Sequence, residues 1–192
     1  MTDTFDNRPR RKALQLAASF LAVTLQTQIG HIAMAADDDF LKFSSYNLSV
    51  RVFNGGDFRL VYANSPHALA IGEIAREKTE ADAKRAPGFS SGYTAFAGPA
   101  EMEWRSKDGS LLKHTLDLDS IFKDRKVLHH EDPARIYKPY PFSGGGPTIV
   151  IEANDHTVNV YMFTTLQIIS EDPNVTLREA HRNCVLAYSK TL

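Results

Sequence analysis

The sequence predicts a mainly β (α+β) domain, an antiparallel and sandwich-like fold of about three hairpins with a C-terminal helix. Three observations carry that prediction. Apolar residues alternate with polar ones along most of the chain after residue 44. The alternating runs are separated by short Asn, Asp and Gly turns, and a helical period takes over only at the end.

The first 35 residues stand apart from this pattern. Arg8, Arg10, Arg11 and Lys12 precede a short, moderately apolar run from Ala13 to Val23, and Ala33-Met34-Ala35 follows before the acidic Asp37-Asp38-Asp39. A basic start, an apolar middle and an Ala-x-Ala end are the parts of a secretory signal peptide. Residues 1–35 therefore read as a signal cut after Ala35, and 36–192 as one periplasmic β-rich domain. Gln15, Ser19, Thr24, Gln26, Thr27 and Gln28 interrupt the apolar stretch, whereas a spanning helix needs about 20 predominantly apolar residues. No stable membrane insertion is expected after cleavage. Arg10-Arg11 suits twin-arginine export, but Ala13 stands where that route favours a bulky apolar residue, so general secretion is the better reading.

Cleavage removes four Lys/Arg and two Asp/Glu, leaving 18 basic and 21 acidic side chains. That balance argues against nucleic acid, which needs a basic face. Cys184 is the only cysteine, so no intrachain disulfide can form in an oxidising compartment. An odd thiol in an exported chain either pairs with another molecule or packs as a small apolar residue.

Along the mature chain, Tyr46, Leu48, Val50 and Val52 alternate with polar residues up to Asn54-Gly55-Gly56-Asp57, and Phe58, Leu60 and Tyr62 resume the pattern, which predicts a hairpin. Ser65 and Pro66 suit a helix start, and the charged, Ala-rich run to residue 85 reads as a surface helix, with Gly72 weakening its first half. Residues 86–99 read as loop. Met102 and Trp104 alternate up to Lys107-Asp108-Gly109, and Leu112, His114 and Leu116 alternate back, a second hairpin. Residues 120–124 suit a helical turn, and the prolines and glycines of 129–147 exclude regular structure. Thr148–Ile151 and Val158–Thr164 make a third hairpin around Asn154-Asp155-His156. Thr176-x-x-Glu179 fits a capping box, and Leu177, Ala180, His181, Cys184, Val185 and Tyr188 recur at helical spacing, so a terminal helix is expected.

Few residues suggest chemistry. His129-His130-Glu131-Asp132 carries ligand types, but adjacent side chains of an extended chain point to opposite sides, and no His-x-x-x-His or Cys-x-x-Cys supports a site. His129, His130 and Glu131 remain the alternative metal set, for a metal-dependent periplasmic hydrolase. Asn154-Asp155-His156 reads as a turn and Ser143–Gly146 as a lead-in loop, so no catalytic residue and no cofactor is assigned. Tyr137-Lys138-Pro139-Tyr140-Pro141-Phe142 is more distinctive. Proline lowers the ordering cost of binding, and aromatic anchors are typical of protein interfaces. Tyr137, Lys138, Tyr140 and Phe142 are the expected partner-binding residues, unless their rings cover one end of the core. The acidic 73–82 segment is a second candidate contact.

The signal, the early Ser45-Tyr46-Asn47 strand, the Met102-Glu103-Trp104 strand and the Pro-Gly loop before Thr148-Ile149-Val150-Ile151 together resemble small exported immunity proteins paired with type VI secretion lipase effectors. The resemblance implies a non-enzymatic inhibitor that binds a secreted toxin and occludes its active site. A structural cell-envelope subunit is a further alternative.

Overall fold

A computed structural model describes residues 38–192 except 89, 90 and 173, so the signal segment and its cleavage point lie outside the described residues. Among the described residues, nine strands form two packed sheets. β1 (Tyr46–Phe53), β4 (Ser91–Tyr93), β7 (Thr148–Asn154), β8 (Thr157–Ile169) and β9 (Arg178–Thr191) make a mixed sheet in the order β4-β1-β7-β8-β9. β2 (Gly55–Tyr62), β3 (Ser65–Ile74), β5 (Ala100–Ser106) and β6 (Leu111–Leu116) make an antiparallel sheet in the order β3-β2-β5-β6. Leu48, Ile149, Ile151, Val160 and Met162 from the first sheet share one buried core with Phe58, Leu60, Tyr62, Trp104 and Leu116 from the second. The sandwich-like, mainly β expectation holds, and the β5–β6 and β7–β8 hairpins form where their alternation placed them.

Three local expectations are corrected. The first is the hairpin around Asn54–Asp57. β1 and β2 are strands, yet they belong to different sheets, so Asn54 (φ 49°) carries the chain across the sandwich instead of folding it back. The glycines already lie within β2. A Cβ on Gly55 would stand 2.8 Å from the Arg105 carbonyl oxygen, and one on Gly56 would stand 2.0 Å from that of Glu73. They are there for close backbone approach, a use of glycine that the turn reading overlooks. With β1 led away, its neighbour is β7, and these two strands run parallel.

Second, the helix expected from Ser65 is mostly strand. Ala63 and Asn64 have φ of 52° and 59°, the geometry of a two-residue hairpin turn, so Ser65 pairs with Tyr62 and β3 follows. Pro66 is tolerated because β3 lies at a sheet edge. Only Glu80–Lys84 is helical (α1). Thr79 caps it, and Asp82 accepts hydrogen bonds from the Thr79 amide at 2.8 Å and from Arg76 Nη2 at 2.6 Å. Arg51 donates to the carbonyls of Asp82 and Arg85, both at 2.9 Å. Lys78 reaches Glu152, buried on the outer face of the mixed sheet, at 2.7 Å.

The third correction is the C-terminal helix, which is the 14-residue strand β9, paired along the whole of β8 from Thr157↔Thr191 to Ile169↔Arg178. An unpaired edge on the mostly buried β8 would strand its backbone groups, and this outweighs the helical spacing of the end. A second helix, α2 (Leu118–Ile121), caps on Asp117 near the expected helical turn.

One end of the sandwich is locked by turns. Trp104 Nε1 donates to the Asp155 carbonyl at 2.6 Å, the Lys107 amide donates to the Asp155 carboxylate at 3.0 Å, and Asn54 Nδ2 donates to Asn154 Oδ1 at 2.9 Å. Gly56→Ala is expected to destabilise the fold by about 1–3 kcal/mol, since backbone must move to admit the methyl group. Gly88→Ala, where a Cβ meets nothing within 4 Å, should stay within about 0.5 kcal/mol. Urea unfolding of the two variants checks both.

Candidate protein-binding surface

The other end is built on β8 and β9 where they outrun their sheet. β7 pairs with β8 only up to Phe163, which leaves one edge of residues 164–169 for another partner. The proline-rich segment supplies it. Tyr137 donates its amide to the Gln167 carbonyl at 2.8 Å, Gln167 donates to the Pro141 carbonyl at 2.9 Å, and Ser143 donates to the Thr165 carbonyl at 3.1 Å. Ile136 and Phe142 form isolated bridges to Ile168 and Leu166. Irregular as it is, the segment works as an extra strand. Proline removes a donor but leaves its carbonyl, and Pro141 uses that carbonyl here.

The four residues expected to bind a partner divide by position. Ile136 beside them is buried, and Phe142 packs partly buried against the core. Tyr137 is half-buried, with the Arg178 guanidinium 3.3 Å from its ring centroid and Tyr140 stacked at 6.3 Å. Tyr140 is 72% exposed, and Lys138 lies over the Phe40 ring at 5.4 Å. Ile169, Val175 and Leu177 are exposed at the adjoining β8–β9 turn. The sequence reading missed Arg178, Ile169 and Leu177 as parts of this surface, because Leu177 was assigned to a helix face. The signal that could have found them is the run 178–191 itself, long enough to pair with β8.

Beneath the aromatic loop sits a polar cluster. Glu131 accepts from His181 Nδ1 at 3.0 Å and from Asn183 Nδ2 at 3.2 Å, while His181 Nε2 meets Glu179 at 3.1 Å. The His130 amide donates to Asn183 Oδ1 at 3.0 Å, and His129 Nδ1 lies 3.1 Å from the Glu131 carbonyl. Of the alternative metal set, the Glu131 side chain and the His130 backbone amide hold the loop to β9, while the His129 ring bonds within the loop. Among the described residues no group of three or more His, Cys, Asp and Glu side chains is arranged to hold a metal ion. Both His181 nitrogens face carboxylates, which suits an imidazolium and leaves neither nitrogen poised over a substrate.

In the 73–82 segment Asp82 is engaged with Arg76 and Lys78 with Glu152, while Glu73, Glu77 and Glu80 are exposed. Two shallow depressions of about 510 Å³ each lie elsewhere. One lies on the outer face of the antiparallel sheet beside the Glu103–Lys113 ion pair, and the other lies along β1 beside Arg51.

Burial pushes the Glu131 carboxyl up, but hydrogen bonds from His181 and Asn183 outweigh it and hold it below the usual glutamate value. Glu131 and then Glu179 hold His181 above its usual value, against a small opposing effect of burial. A raised histidine contributes stability that is fully present below its ordinary value of 6.5 and is lost as pH rises through the raised one. A lowered glutamate contributes stability present above 4.5 and lost as pH falls through its lowered value. The cluster is therefore best formed between those two limits. NMR titration should place the His181 midpoint above 6.5, and Glu131→Gln should bring it down. His114, depressed by burial and then by Lys190, should titrate below 6.5 in both proteins.

Comparison of the chain with protein-family models, curated proteins and solved structures returned no match.

Proposed function

We propose that this chain is an exported protein-binding module, an immunity protein that inhibits a secreted antibacterial effector by occluding its active site. The observation that carries the reading is the aromatic loop: Tyr140 is 72% exposed on a segment already hydrogen-bonded along β8. A large apolar side chain held out on a preorganised backbone costs little to order on binding. Tyr137 and Arg178 stand behind it as a stacked aromatic–guanidinium pair, and Tyr and Arg are the residue types that dominate binding energy at interfaces. Ile169, Val175 and Leu177 extend the apolar area, and the exposed Lys138 borders it with positive charge. The basic, apolar and Ala-x-Ala parts of the N-terminus support export to the periplasm, where a secreted effector would be met.

Occlusion requires neither cofactor nor catalytic group. Tyr137, Lys138 and Tyr140 are the contacts, and Phe142 anchors the loop from inside through its packing against the core.

The test is affinity capture of the protein's partner from its native envelope and culture fluid, followed by measurement of complex stoichiometry and of the captured enzyme's activity. A one-to-one complex with a secreted enzyme, silenced on binding, is the expected result. Tyr140→Ala should weaken that complex by about 2 kcal/mol, roughly 30-fold, without altering unfolding. Phe142→Ala should act through stability, costing about 2 kcal/mol in urea. A complex unchanged by Tyr137→Ala and Tyr140→Ala in folded protein would remove the assignment.

A further inference from the structure

β9 ends the mixed sheet, and its second edge has no strand or bridge beside it among the described residues. A row of unpaired amides and carbonyls is a template for another strand, and proteins usually interrupt such edges. The other three edges are interrupted or short. β4 has three residues and β6 six, while β3 contains Pro66 and is bent at Ala70 (φ 50°) and Gly72 (φ 76°). β9 runs for 14 residues without proline or glycine, broken only by the bulge at Ala187 opposite Val160–Tyr161.

We propose that β9 pairs antiparallel with β9 of a second copy about a two-fold axis through Cys184, joining two five-stranded sheets into one. The occupant is argued from self-complementarity. In an antiparallel pair, directly opposed residues share a face of the sheet, so a register must match faces. The pairing with β8 sets Cys184, Leu186 and Ser189 on the outer face and Glu179, His181, Tyr188 and Lys190 on the inner. Centring on Cys184 sets Leu186 against Arg182. With the Ala187 bulge passed over on each strand, Tyr188 meets His181 and Lys190 meets Glu179. Every opposed pair then shares a face, every residue of the strand except the bulged Ala187 is used, and two-fold symmetry makes the Lys190–Glu179 pair twice. Moving the centre by half a residue, to a point between two residues, sets outer against inner faces. Moving it by a whole residue keeps the faces matched but leaves Lys190 or Glu179 overhanging, and both ion pairs are lost. Glu179 and Lys190 are both exposed, and Glu179, which meets His181 within its own strand, also faces Lys190 across the joint.

This inference does not depend on the proposed function. It sets the two aromatic loops at opposite ends of the joined sheet, separated by roughly 40 Å, the length of the strand.

Sedimentation velocity on the protein over a concentration series tests it, combined with a short bis-maleimide at mildly alkaline pH. A reversible monomer–dimer equilibrium is expected, with a crosslinked dimer that disappears in Cys184→Ser while sedimentation stays unchanged. Lys190→Glu and Glu179→Lys should each weaken the dimer by about tenfold, since two attractive pairs become repulsive. The double variant Glu179→Lys/Lys190→Glu should restore it. Circular dichroism establishes that each variant is folded. A protein that stays monomeric at the highest soluble concentration overturns the proposal. So does a dimer that neither crosslinks through Cys184 nor recovers in the charge swap.

Discussion

The backbone of β8 must find hydrogen-bond partners on both edges, and much of the molecule is arranged around that need. It is a long interior strand of the mixed sheet, between β7 and β9, with Val158, Val160, Met162, Leu166 and Ile168 all buried. A buried amide or carbonyl without a partner costs about as much as a lost hydrogen bond. β9 serves one edge for its full length, and β7 serves the first half of the other. The remainder falls to the proline-rich segment, which is why a stretch with too many breakers for a regular strand is nonetheless fixed in place.

That requirement also separates the two ends of the sandwich. At one, Trp104, Asp155, Lys107 and Asn54 tie three turns from both sheets into a single unit. At the other, β8 and β9 project past β7 and carry a polar cluster on one side and aromatic side chains beside it. The Glu131–His181–Asn183 contacts fasten the loop to β9, and the bridges of Ile136 and Phe142 fasten it to β8. Held from both strands, the loop can present Tyr140 outward without collapsing onto its own apolar neighbours.

The alternation of Tyr46–Val52, Met102–Trp104 and Val158–Met162 was legible, because a strand with one face in a core must alternate wherever it is paired. Which strand pairs with which was not. Asn54–Asp57 has the composition of a hairpin turn, and only contact with Glu73 and Arg105 shows that its glycines are demanded by crowding. Ser65-Pro66 and Thr176-x-x-Glu179 carry genuine helix-start chemistry, yet both lie in chain that must complete a neighbouring strand's hydrogen bonding, a demand set by residues far away in sequence. The aromatic loop was found from composition alone. Its division into an inward Phe142 and an outward Tyr140, and its company of Arg178 and His181, depend on β9 being a strand.

The loop is attached to β8 by amides and carbonyls of residues 137, 141 and 143, groups that nearly every amino acid possesses. Its fixation is therefore largely indifferent to which side chains it displays at 137, 138 and 140. Substitutions there can alter recognition while leaving strand registration intact. A surface anchored in this way can vary the side chains it displays independently of the scaffold that supports it.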